Sequence, residues 1–291
     1  MDKKALHILV TGANGQLGLE FRELSERFPD IHFYFTSRQE LDVCSRDAVM
    51  QFFETHPVDY CIHCAAYTAV DLAETERDAA MAGNAHAPAF VAEACAQHGA
   101  KLFHFSTDYV FNGTASAPYL PDAPVQPVNF YGATKLEGEQ GVIRHCKDSV
   151  IIRTSWVYSY YGKNFVKTML RLMQEREMIR VVSDQQGSPT YAADLARAVM
   201  HIITSKSFRP GVYHYCNSGV ISWYQFAHAI AQHMQFTCRV EPIQTQDYPT
   251  PAKRPAYSAL STDSFQKTFQ LTIPGWEDSL KQCLQIIRER G

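Results

Sequence analysis

Five short β-rich runs alternate with helix-length stretches across the first half of the chain, and this rhythm confines the fold more tightly than any other feature of the sequence. The runs are HILV (7–10), IHFYF (31–35), DYCIHC (59–64), KLFHFS (101–106) and SVIIRT (149–154), with the helical stretches 16–28, 46–56, 76–98 and 131–144 between them. A strand, a crossover helix and a second parallel strand make the repeating unit, and right-handed crossovers stack such units into one sheet with helices on both faces. The expected class is α/β, a doubly wound parallel sheet that receives ligands at the carboxyl ends of its strands.

Directly after the first run comes TGANGQLG, with Gly12, Gly15 and Gly18 where a chain must turn tightly, approach a pyrophosphate and pack a helix close to the sheet. An isolated glycine triplet is often only a turn. Here it joins a strand to a helix near the N-terminus, so the sheet reads as Rossmann-type and a dinucleotide is the expected ligand, with Asn14, Gln16 and Leu17 in the same cofactor-binding turn. An NAD-selective site usually has an acidic residue at the end of the second strand, whereas this chain has Thr36, Ser37 and Arg38. NADPH is the expected cofactor, with NADH as the alternative; a solvated Arg38 is the bland reading. Asp42 and Val43 fit an adenine-contacting turn, and Ala65 and Ala66 are small enough to let the cofactor backbone pass.

The segment FYGATKLEGEQ sets Tyr131 and Lys135 four apart, on one helix face. A tyrosine can donate a proton to a carbonyl oxygen, and a nearby ammonium is expected to lower its pKa while also holding the nicotinamide ribose. YxxxK alone is common on protein surfaces. The fourth strand, however, ends in Ser106-Thr107, which puts a hydroxyl at the mouth of the same cleft. Thr107, Tyr131 and Lys135 form the expected catalytic set, with Thr107 bonding the reacting oxygen as hydride passes to carbon. The structural alternative is that Thr107 merely ends its strand.

After Trp156 the pattern loosens into 163–177, IRVV (179–182), 190–205 and GVYHYC (211–216). The expected organisation is a dinucleotide-binding domain over 1–154 and a smaller C-terminal substrate-binding region over 155–291, of which about 184–216 returns to the Rossmann domain. The proline-rich stretches 118–127 and 249–255 are either ordered loops near the site or surface connectors. A formal net charge of -3 without a basic patch gives no footprint for nucleic acid and no membrane anchor. The opening MDKKALHILVTG is too short for a signal peptide, so a cytoplasmic protein is expected. Cys61 and Cys64 have CxxC spacing but lack a second ligand pair, and strand alternation points them to opposite faces; His228 and His233 are poorly spaced for one helix face, and no metal site is assigned.

Together these motifs resemble the extended short-chain dehydrogenase/reductase superfamily, and within it the dTDP-4-dehydrorhamnose reductase family, over nearly the whole chain. The resemblance is carried by TGANGQLG (11–18), ELDV (40–43), AAYTAVDLAE (65–74), STDYVFNG (106–113), YGATK (131–135), RTSWVYS (153–159), DQQGSPT (184–190) and KRPAYSAL (253–260). It implies reduction of the C4 ketone of a dTDP-linked 4-keto-6-deoxy sugar, giving dTDP-L-rhamnose. By the same resemblance Tyr131 is the proton donor, Lys135 holds the ribose, Tyr67 joins the cofactor contacts, and Thr68, Val70, Thr107, Asp108, Tyr109 and Trp156 surround the substrate. Gly83 departs from the larger apolar residue frequent in such proteins and is expected to loosen its helix by about 1 kcal/mol relative to alanine. Some members join subunits through magnesium; no ligand set for it is matched here, and a homodimer is the assembly considered.

Two other functions stay open at this level. A sugar-nucleotide epimerase would use the same hydroxyl, Tyr and Lys, whereas a 4,6-dehydratase would need the Asp-Glu pair that Asp108-Tyr109 replaces. A non-catalytic subunit resembling the regulatory subunit of methionine adenosyltransferase is the third reading, although intact Thr107, Tyr131 and Lys135 argue against lost chemistry.

Overall fold

The computed structural model describes residues 5–290. Its alternating half comprises β1 (Leu6–Thr11), α1 (Gln16–Ser25), β2 (Ile31–Thr36), α2 (Arg46–Thr55), β3 (Tyr60–His63), α3 (Arg77–Met81), α4 (Ala87–His98), β4 (Lys101–Thr107), α5 (Phe130–His145) and β5 (Ser149–Thr154). The second half adds β6 (Val157–Tyr158), α6 (Phe165–Glu175), β7 (Met178–Val182), β8 (Gln186–Gly187), β9 (Thr190–Tyr191), α7 (Ala192–Thr204), β10 (Gly211–His214), β11 (Ile221–Ser222), α8 (Trp223–Met234), β12 (Arg239–Ile243), α9 (Asp263–Phe269) and α10 (Trp276–Arg290).

Six parallel strands form the main sheet in the order β10-β5-β4-β3-β1-β2. Strand order reverses between β1 and β3, which opens a crevice at their carboxyl ends. Alternating side chains feed two cores: Val10, Ile62 and Phe105 pack with Leu195 and Val199 of α7, while Leu9, Cys61 and Ile151 pack with Val91 of α4 and Val142 of α5. Cys61 therefore lies in one core while Cys64 packs against the other, as the strand period requires. Capping fixes where several helices begin: Asn129 accepts from Gly132 N at 2.8 Å to start α5, and Ser222 with Gln225 closes a capping box on α8.

The single helix expected over 76–98 is divided into α3, a wider π turn at Ala82–His86, and α4. Pro88 has no N–H for the Asn84 carbonyl, and the ladder widens there so that the Ala87 N–H reaches Ala82 O. Gly83 lies inside that widened turn. A Cβ there would lie 3.2 Å from Tyr67 Cβ, so glycine lets the segment pack closely on the loop after β3.

A third core holds α6, α8 and α10 with the β7–β12 pair. Within 184–216 the chain divides: β8 pairs with β11 in the smaller region, whereas α7 packs in the main core and β10 extends the main sheet beside β5. Among the described residues no helix is long and apolar enough to cross a membrane.

Candidate active site

The crevice is walled first by the turn after β1. Gly12 has φ +64°, and a Cβ on it would lie 2.6 Å from Ala65 N; one on Gly18 would meet Gly12 O at 2.4 Å. Gly15 caps α1 without a side chain, leaving the positive end of that helix open above Ala65. This cradle fits a pyrophosphate for physical reasons, because added side chains would fill it. Asn14 is exposed beside it, Gln16 Oε1 accepts from Asn164 Nδ2 at 2.9 Å, and the Leu17 side chain packs into the core, which leaves only its backbone for a ligand.

At the end of β2 the Arg38 side chain is 84% exposed and 4.0 Å from Asp42 Oδ1, free to turn toward the crevice. The sequence reading missed Glu40, whose Oε2 accepts from Ser37 N at 2.7 Å. The loop thus carries an anion as well as a cation; three-residue spacing across a turn was the available signal. Asp42 Oδ1 also accepts from Cys44 N at 3.1 Å, and Val43 is buried beneath it.

After β3, Ala65 N lies 3.4 Å from Thr11 Oγ1 and Ala66 is exposed. Tyr67 is fixed at both ends, its N–H to Asn84 Oδ1 at 2.9 Å and its hydroxyl to Glu76 at 2.8 Å. Thr68 is exposed and Val70 half-buried on the same loop. Next to them Asp71 accepts from Arg254 Nη2 at 2.9 Å, drawing the proline-rich 249–255 segment across the cleft. That segment also receives the Asn129 side chain at Lys253 O, 2.8 Å away, so it is an ordered wall.

β4 ends at Thr107, which is buried; its hydroxyl donates to Asp108 Oδ1 at 3.1 Å and accepts from Tyr109 N at 3.2 Å. Tyr131 stands edge-on to Tyr109, ring centroids 5.9 Å apart, because glycine at position 132 lets α5 touch the Tyr109 backbone. Lys135 is 3% exposed, with Nζ donating to Phe105 O at 2.6 Å. Burial brings its ammonium down to about 8, against a smaller upward pull from Glu139.

The expected lowering of Tyr131 by Lys135 is corrected here. Burial, helped by the Asp108 charge, raises the Tyr131 phenol well above its ordinary value, while a hydrogen bond with Thr107 opposes this only in part. The Lys135 ammonium is turned to Phe105 O. Asp108 itself is deeply buried, and desolvation pushes its carboxyl up to about 7, with hydrogen bonds from Ser258 and Thr107 working against the rise.

Trp156 takes left-handed backbone geometry, φ 48°, which is unusual for a bulky side chain. Its ring stacks on Trp223, centroids 3.5 Å apart and planes 12° from parallel, and a Cβ on Gly187 would fall 2.8 Å from it. Trp223 was not singled out in the sequence. Neither was the buried ion pair behind α5, where Arg153 reaches both Glu139 oxygens at 2.9 and 2.7 Å and Pro121 O at 3.0 Å.

A glycine cradle at the switch point, with Thr107, Tyr131 and Lys135 along the neighbouring strand and helix, defines the class: an extended short-chain dehydrogenase/reductase fold. More narrowly, the chain belongs to the family of the RmlD substrate binding domain, which matches residues 6–289. It is 40% identical over 279 residues to the spore coat polysaccharide biosynthesis protein SpsK of Bacillus subtilis, covering 96% of either chain. It is 38% identical to the dTDP-4-dehydrorhamnose reductase of Burkholderia thailandensis over 96% of this chain and 98% of that one. Among solved structures, the dTDP-4-dehydrorhamnose reductase of Bacillus anthracis in complex with NADP matches with a TM-score of 0.93 at 40% identity, covering 97% of this chain and 99% of that one.

Proposed function

We propose that this protein reduces the C4 ketone of a dTDP-linked 4-dehydro-6-deoxyhexose, converting dTDP-4-dehydrorhamnose to dTDP-L-rhamnose with NADPH. The observation that carries the reading is the placement of Thr107 and Tyr131 side by side at the carboxyl end of β4, next to a cradle built for a dinucleotide. Gly12, Gly15 and Gly18 would admit the pyrophosphate, Arg38 the 2′-phosphate and Lys135 the ribose. The cofactor supplies hydride.

Tyr131, kept protonated by burial, is in the correct state to give its proton to the oxygen that becomes a hydroxyl. Thr107 bonds the same oxygen. Because Asp108 titrates at about 7, its protonated form can donate to Thr107 Oγ1 and free the threonine hydroxyl to donate to substrate. Trp156, stacked on Trp223 next to the cleft, provides an apolar surface for the sugar or thymine.

The test supplies purified protein with dTDP-4-dehydrorhamnose and NADPH, follows cofactor absorbance, and identifies the sugar product. Ketone-dependent oxidation with formation of dTDP-L-rhamnose is expected. Isomerisation without net oxidation would replace this reading with an epimerase, and no turnover by folded, cofactor-binding protein would replace it with a regulatory role.

A further inference from the structure

Beneath Lys135, on the side of the sheet covered by α4 and α5, lies a polar cluster that the proposed chemistry does not use. His63 of β3 and His104 of β4 are paired residues in the parallel register, 1% and 0% exposed, with rings 5.6 Å apart and 22° from parallel. His63 Nδ1 shares a hydrogen bond with Thr11 Oγ1 at 2.8 Å. Among the described residues, His63 Nε2, both nitrogens of His104 and Ser106 Oγ have no protein partner. Buried polar atoms are rarely left unpaired, and four in one neighbourhood mark a place where something else bonds them.

Lys135 has the complementary shortage. An ammonium has three donors, and Phe105 O, between His104 and Ser106 along β4, takes one. On the proposed reading of the site a second donor serves the cofactor ribose. The third has no acceptor on α5, where Glu139, one turn on, gives both oxygens to Arg153 of β5. Tyr131, a turn earlier, is itself a protonated donor.

We propose that His63, His104 and Ser106 enclose a buried hydration site whose ordered water accepts from Lys135 Nζ, so that the two imidazoles are positioning residues that hold the lysine charged inside the protein. Only neutral imidazoles can do this, because a protonated ring offers two donors and no acceptor toward an ammonium. Burial, with the Lys135 charge adding to it, takes His63 down to about 3 and His104 well below its ordinary value, so both rings remain neutral wherever the protein works. The inference rests on Lys135 being the working lysine, but its test needs neither cofactor nor substrate.

Carbon-labelled lysine NMR reads the Lys135 titration directly in the full chain, with its signal identified by its loss in Lys135→Met. His104→Leu removes one of the three side chains that hold the water and disfavours the ammonium. The Lys135 midpoint is expected to fall by about one pH unit, a tenfold loss of charged lysine on the alkaline side. His104→Gln, which keeps an acceptor, should restore it, whereas a merely structural histidine would lower thermal stability in both variants and leave the titration unmoved. An unchanged midpoint in folded His104→Leu, or one that His104→Gln fails to restore, overturns the proposal. Should His104→Leu not fold, a high-resolution crystal structure of the unaltered protein decides: water bonded to both a His104 nitrogen and Lys135 Nζ supports the site, and a dry cluster rejects it.

Discussion

Replacing Asp108 by asparagine should make the protein gain stability, relative to the unaltered chain, as pH rises. The carboxyl is 2% exposed and its pKa is raised from 3.8 to about 7, chiefly by desolvation. A raised folded-state pKa means that the protonated form suits the fold; the resulting stabilisation is complete below the unfolded value and is lost as pH climbs through the folded one. At about 1.4 kcal/mol per pH unit, the asparagine variant avoids a penalty of about 4 kcal/mol near pH 8 but only about 2 kcal/mol near pH 5. The stability difference between the two proteins should therefore widen by about 2–3 kcal/mol over that interval. The asparagine amide would keep an oxygen to accept from Thr107, so any change in packing adds a pH-independent offset. Glu20, also raised to about 7 by burial, and the buried histidines titrate in both proteins and cancel in the difference. Urea unfolding followed by tryptophan fluorescence at the two pH values measures it. A difference constant to within about 0.5 kcal/mol would mean that Asp108 is an ordinary ionised carboxylate that water reaches in the folded protein.

Three further outcomes follow from the site and its supports. Tyr131→Phe keeps the ring against Tyr109 but removes the proton, so turnover should fall by about 10²- to 10⁴-fold with cofactor affinity retained; a loss well below tenfold would show that another group supplies the proton. Arg38→Asp should weaken NADPH far more than NADH in a fluorescence titration, since the exposed guanidinium lies 4.0 Å from Asp42 and is free to meet a 2′-phosphate; equal losses would reject the assignment. Arg153→Met strands the Glu139 carboxylate in the core behind α5 and should cost about 3–5 kcal/mol in urea unfolding, with Glu139→Gln in the same chain recovering part of it; a change under about 1 kcal/mol would mean that solvent reaches the pair.

The sequence by itself determined the parallel sheet, the glycine cradle and the shared face of Tyr131 and Lys135, because each is written in a local period. Two-residue alternation marks strands, 3.6-residue recurrence marks helices, and glycine takes positive φ most readily, as at Gly12. Contacts between distant segments have no such period. Thus Trp223 under Trp156, Arg153 against Glu139 and the neighbouring His63 and His104 could not be read from spacing, although every one of these residues was in view. Gly83 was legible as a helix defect but not as the place where Tyr67 packs. The tertiary structure also decided the charge states: the sequence proposed that Lys135 would lower Tyr131, whereas exclusion of water and the turn of Lys135 toward Phe105 O leave the phenol raised. Solvent exclusion depends on how much protein surrounds a group in three dimensions, and no one-dimensional spacing carries that quantity.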